Sequence, residues 1–222
     1  MSLYTEHSET SMPPAVPSLV MFQHCDKVIY SSSVPQHCPI CGQQSVTSWD
    51  LEKSPVTLPC PFTNAHSQTC AFVLKPTIGQ FIGGYDGCSD LHVGITSSKG
   101  TVHHYNETGI HKDSSGWEQC VSVELVPPDQ HALIHQWDAY LETFSFDDRW
   151  LLQRYNEQNH NCYTFALTFI NTLLQLEGKR TFSKEEFTGR FVLPKTRQAS
   201  KYITLCHQVS RNNYYITDHH TG

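Results

Sequence analysis

The sequence predicts an α+β protein in which a small Cys-rich N-terminal module precedes a larger domain. Three observations carry that prediction. Five of the nine Cys (Cys25, Cys38, Cys41, Cys60 and Cys70) lie before Pro76. Short runs with a period of two follow between residues 91 and 126, the spacing of strands with one buried face. Beyond residue 129 the apolar residues recur at helical spacing instead.

The chain of 222 residues has room for one large or two small domains. Apolar residues make up 38% and charged residues only 16%, with 14 His among the polar remainder. That balance predicts a modest core with long polar connections. The net charge of −6 and the absence of a Lys/Arg run argue against nucleic acid or an anionic membrane as partner. No apolar run reaches the length of a membrane span. The N-terminus lacks the basic start and apolar stretch of a secretory signal, and Ser2 stands where myristoylation needs Gly. The expectation is a soluble intracellular protein, cytoplasmic or nuclear, with its partner protein unknown. In such a compartment the Cys are thiols, metal ligands or a nucleophile rather than a disulfide framework.

Residues 1–19, rich in Ser, Thr, Glu and Pro, are expected to be a disordered tail. Residues 20–76 form the Cys-rich module, with short extended pieces at Lys27–Ser31 and Ala71–Leu74. The main domain spans 77–218, and 219–222 are a second tail. Leu91–Thr96 alternates as a strand, 97–100 turns, and Thr101–Tyr105 returns as its hairpin partner. Cys120–Val126 is a third strand. Asp129 is placed to cap a helix carrying Leu133, Ile134, Trp137, Tyr140, Leu141 and Phe144. Cys162–Glu177 is the most apolar helix and should be central, ended by Gly178. Ser183 to Glu186 reads as a capping box, Lys195 to Val209 as a further helix and Tyr214–Thr217 as a last strand.

The candidate chemistry centres on Cys162 and His92. A thiol attacks as thiolate, and a helix N-terminus or a nearby imidazolium favours that form. Asn161 is a good cap and puts Cys162 in the first helical turn, where backbone N–H groups could also hold an oxyanion. His92 opens a strand whose Val93 and Ile95 are expected to be buried. Gly94, on the face of His92, would leave room for substrate or a facing helix. His104 on the returning strand is the first choice for the polar group that orients His92, with Asn106 and Asp90 as weaker ones.

These residues resemble a known pattern. LHVGITSSKGTVHHYNETG is similar to the segment carrying the catalytic His and the third polar residue of papain-like hydrolases of the NlpC type. There, as at His92 and His104, the second His follows the first by twelve residues. HNCYTFALTFIN resembles the Asn-Cys helix start of the circularly permuted branch, in which His precedes Cys. The resemblance implies a permuted papain-like (NlpC-like) core using Cys162, His92 and His104 as a thiol hydrolase or acyltransferase. The expected substrate is a protein or acyl group, attacked at a peptide, isopeptide or acyl bond. The pattern departs from the family in the long polar 106–118 stretch and at Tyr163-Thr164. From about Phe22 to Asp218 the chain also resembles the makorin-2 opposite strand protein family. YSSSVPQHCPICGQQ, PFTNAHSQTC, YDGCSDLHVGIT, NHNCYTFALTFIN and TRQASKYITL carry that resemblance.

Cys38-Pro-Ile-Cys41-Gly has the form of a zinc knuckle, in which a tight turn aims two thiolates at one ion. His66 and Cys70 are the expected second half-site, completing a structural Cys3His zinc set, with His24, Cys25, His37 and Cys60 as spare ligands. No cofactor is expected for catalysis. The rival reading is a non-catalytic interaction module, a pseudoenzyme with a structural zinc site.

Overall fold

The computed structural model describes residues 16–44, 54–85, 87–127 and 129–218. The expected tails at 1–15 and 219–222 lie outside the described residues. Residues 16–19 of the expected N-terminal tail are described, and Leu19 is fully buried, because its carbonyl accepts from Leu58 N–H and its side chain joins the main core.

The described fold is mixed α/β, with two antiparallel sheets. In the first, strands run in the order β3 (Val56–Thr57), β1 (Val20–His24), β2 (Lys27–Ser31) and β9 (Tyr214–Asp218). In the second, the order is β7 (Gly109–Asp113), β6 (Val102–Asn106), β5 (Leu91–Thr96), β4 (Ala71–Pro76) and β8 (Val121–Glu124). The strand just before residue 77 thus sits inside the second sheet, and the last strand of the chain closes the first. β4 pairs with β5 in the register Val73↔Gly94 and Lys75↔His92.

Among the described residues, three helices of fifteen residues or more complete the fold: α1 (His131–Ser145), α2 (Cys162–Leu176) and α3 (Leu193–Asn212). Asp129 does not cap α1; Gln130 occupies the cap position and makes no side-chain cap bond. The capping box of Ser183 and Glu186 is present and starts the one-turn helix Lys184–Phe187. A π-helical stretch, Thr188–Val192, joins that turn to α3. Among the described residues no helix is long and apolar enough to cross a membrane.

α2 is central, as its all-round apolar character requires. Phe165, Ala166 and Phe169 are fully or nearly fully buried against Phe72, Leu74, Val93 and Ile95 of the second sheet and Trp137 and Phe144 of α1. Burying each such Phe contributes about 2–3 kcal/mol of apolar transfer free energy. This core fixes the start of α2 over the first residues of β5. The opposite face of the sheet carries a smaller cluster of Ala65, Ala71, Val73, Val102, Trp117 and Cys120.

Candidate functional site

Cys162 occupies the first position of α2. The Asn161 side chain accepts from Tyr163 N–H (3.0 Å) and Thr164 N–H (3.1 Å), so the expected cap forms. Cys162 is almost wholly buried, at 8% exposure. Burial pushes the thiol up; the N–H groups of Val93, Tyr163 and Cys162 itself pull it back without overcoming that.

His92 and His104 meet across β5 and β6. His92 Nε2 lies 2.8 Å from His104 Nδ1, and His104 Nε2 lies 2.8 Å from Asp113 Oδ2 on β7. Trp117 Nε1–H donates to the same carboxylate oxygen at 3.1 Å, and Lys75 Nζ sits 4.7 Å from the centre of the Trp117 ring. Burial works against the Asp113 charge, but the hydrogen bonds from Trp117 and His104 outweigh it and hold the carboxyl below its usual range. Asp113 is therefore a carboxylate that can only accept. It accepts a hydrogen bond from His104 Nε2–H, which leaves His104 Nδ1 to accept from His92 Nε2–H. The lone pair of His92 is then on Nδ1, the state a general base needs.

Burial pushes His92 down to about 3, with His104 and the Lys75 ammonium adding in the same direction. His104 is lowered by burial as well, against the pull of Asp113. At neutral pH thiol and imidazole are thus both uncharged, in place of a thiolate–imidazolium pair.

Both residues line one open cleft of about 860 Å³. Asp90, Asn106, Glu107, Glu157 and Lys75 give it a polar wall, and Asn161 and Tyr155 flank the thiol. Among the described residues no hydrogen bond joins Cys162 Sγ to His92, although Val93, next to His92, turns its N–H toward the sulfur. Gly94 serves neither substrate nor helix. A Cβ there would stand 2.6 Å from Val102 Cγ1 and 3.1 Å from the His103 carbonyl oxygen, so the missing side chain lets β6 approach β5. That approach carries His104 to His92.

Sequence reasoning missed Asp113 and Trp117. Asn106–Gly109 is a hairpin pair around a two-residue turn, and Asn106 Oδ1 accepts from Thr108 N–H at 2.8 Å. Asn106 and Gly109, spaced around Glu107-Thr108, were the available signal for that turn.

Cys38 and Cys41 are brought together, but with His24 and Cys25 rather than with His66 and Cys70. The four ligand atoms all lie within 4.8 Å of one another and could hold a metal ion. His66 is held elsewhere, its Nδ1 2.9 Å from the Gly100 carbonyl oxygen. Cys70 is fully buried at the start of β4, where desolvation pushes its thiol up to about 12.

A family model described as DUF4796 C-terminal matches residues 55–209, and one described as DUF4796 N-terminal matches residues 17–44. The chain belongs to the DUF4796 family. The DUF4796 chain is 49% identical over 201 residues to MKRN2 opposite strand protein of Homo sapiens, covering 90% of each. The resemblance to the makorin-2 opposite strand family is thereby borne out. No solved structure matches the DUF4796 chain. Its Cys–His cleft falls wholly within the C-terminal match, and its four-ligand cluster within the N-terminal one.

Proposed function

We propose that this protein is a thiol hydrolase or acyltransferase of permuted papain-like design, with Cys162 as nucleophile and His92 as base. The observation that carries this reading is the chain Asp113–His104–His92, which engages His92 Nε2 and so leaves Nδ1 as the nitrogen for a base, on a residue that lines the same cleft as Cys162. Strand order supports it: the His hairpin precedes the Cys helix, and the two residues reach one cleft from opposite faces of the second sheet, Cys162 from the face under α2 and His92 from the face of Val73 and Trp117.

His92 Nδ1 takes the Cys162 proton as Sγ bonds to the carbonyl carbon. N–H groups at the start of α2 receive the oxyanion. His92 returns the proton to the departing nitrogen, oxygen or sulfur, and a thioester remains on Cys162. Water, deprotonated by His92, then releases the acid and restores the thiol. The polar cleft wall, with Asp90, Glu107 and Glu157, favours a peptide or isopeptide substrate over a long acyl chain.

A second reading, a binding module without turnover, is favoured by one observation: burial keeps both His92 and Cys162 uncharged. Hydrolysis assays on peptidyl thioesters, isopeptides and long-chain acyl thioesters separate the two. An enzyme releases product with wild-type protein and at least about 100-fold more slowly with Cys162→Ala or His92→Ala. Equal rates in all three proteins contradict the enzymatic reading.

A further inference from the structure

We infer that His24, Cys25, Cys38 and Cys41 form a structural zinc site that clamps the β1–β2 turn to the 38–42 knuckle. The four residues come from two loops, and their ligand atoms face one point. His24 Nδ1 lies 3.2 Å from Cys38 Sγ, 2.9 Å from Cys25 Sγ and 3.8 Å from Cys41 Sγ. Zinc bonds of about 2.3 Å to sulfur and about 2.0 Å to nitrogen place tetrahedral ligands roughly 3.5–3.8 Å apart. The cluster needs only small side-chain shifts to reach that geometry.

The backbone on both sides is shaped for the ligands. Cys38 N–H donates to the Gln43 carbonyl (2.8 Å) and Gly42 N–H to the Cys38 carbonyl (2.9 Å), which closes the knuckle. Gly42 has φ +73, a conformation the turn requires and other residues resist. Ile40 N–H points at Cys38 Sγ from 3.4 Å, an amide that stabilises a thiolate. On the other side, His24↔Lys27 pairing leaves a two-residue turn in which Cys25 and Asp26 both have φ 55. Such turns normally use Asn and Gly; Cys here folds its sulfur back beside the His24 ring.

Three thiolates and an imidazole are soft and borderline ligands, suited to zinc and unsuited to calcium or magnesium. Binding releases the three thiol protons and leaves a site of net charge −1. All four protein ligands are present, so no position is open for substrate, which marks the site as structural. The local core explains the need: among the described residues, this cluster buries Phe22, Ile29 and Cys38, with Val20 and Ile216 partly buried against them. A core that small gains much from a metal.

The test uses the full chain purified from zinc-supplemented medium under reductant. Elemental analysis is expected to give about one zinc per chain, falling to a tenth or less in Cys25→Ser and Cys38→Ser. Cys60→Ser and Cys70→Ser are expected to keep about one equivalent. Because a ligand variant can also unfold, His24→Cys provides a gain of signal. In the cobalt-exchanged protein its thiolate-to-metal absorption should rise by about a third, from three sulfurs to four. Less than about half an equivalent in the reconstituted wild type overturns the inference. So does a Cys25→Ser protein that holds cobalt with an unchanged spectrum.

Discussion

The 2.8 Å contact between His92 Nε2 and His104 Nδ1 decides which nitrogen of His92 is free to act as a base. Asp113 anchors the chain at its far end, so both imidazoles are held as Nε2–H tautomers. Nitrogen NMR of the two rings is expected to show Nδ1 unprotonated in each at pH 7. Asp113→Asn replaces an obligate acceptor by a group that can also donate. It is expected to mix the tautomers and lower stability by about 1.5–3 kcal/mol, the worth of a hydrogen bond to a charged group. Unchanged ring shifts in Asp113→Asn would contradict this relay.

Gly94 is expected to tolerate no side chain. The Cβ of Gly94→Ala meets Val102 Cγ1 at 2.6 Å and His104 Cβ at 3.4 Å, so β6 must shift away from β5. A loss of about 1–3 kcal/mol in urea unfolding is expected, with altered His104 ring shifts. Gly189→Ala, where nothing lies within 4 Å of the added methyl, is expected to be neutral or slightly stabilising.

Acid is expected to destabilise the fold well before its carboxylates titrate. Burial pushes His92 to about 3 and His103 to about 4. In the unfolded chain both take up protons as pH falls through about 6.5, while the folded chain does not. Their contribution is therefore complete above that value and is lost progressively as pH falls toward the folded-state values. Urea midpoints should be level from pH 8 to about 7 and fall steeply from about 6 to 4. In His103→Asn that slope should be shallower by nearly one proton. A midpoint unchanged between about pH 7 and 5 would contradict the assignment.

The parts of this fold written in periodicity and caps were legible in the sequence. Leu91–Thr96, the start of α2 at Cys162 with its Asn161 cap, and the Ser183 capping box all depend on neighbours in the chain. β7 was not legible. Its residues, GIHKD, include one apolar side chain, because β7 is the edge of its sheet and buries little. Asp113 was hidden with it, since only pairing with β6 carries that carboxylate to His104. The metal cluster was half legible for the same reason. Cys38 and Cys41 announce themselves by spacing, whereas His24 and Cys25 reach them through a turn with two left-handed residues. His66 and Cys70 had an equally plausible spacing, and tertiary packing sent them to a turn carbonyl and to the core.

Nucleophilic attack by Cys162 is tested most directly by trapping its acyl intermediate. Wild-type protein is incubated with a peptidyl thioester, quenched in acid and mapped by mass spectrometry. The account predicts an acyl group on Cys162 that does not form in His92→Ala and is reduced in Asp113→Asn. Exposed Cys60 and Cys88 serve as internal references. Acylation of Cys60 and Cys88 with Cys162 left unmodified, or equal acylation of Cys162 in His92→Ala, would contradict it.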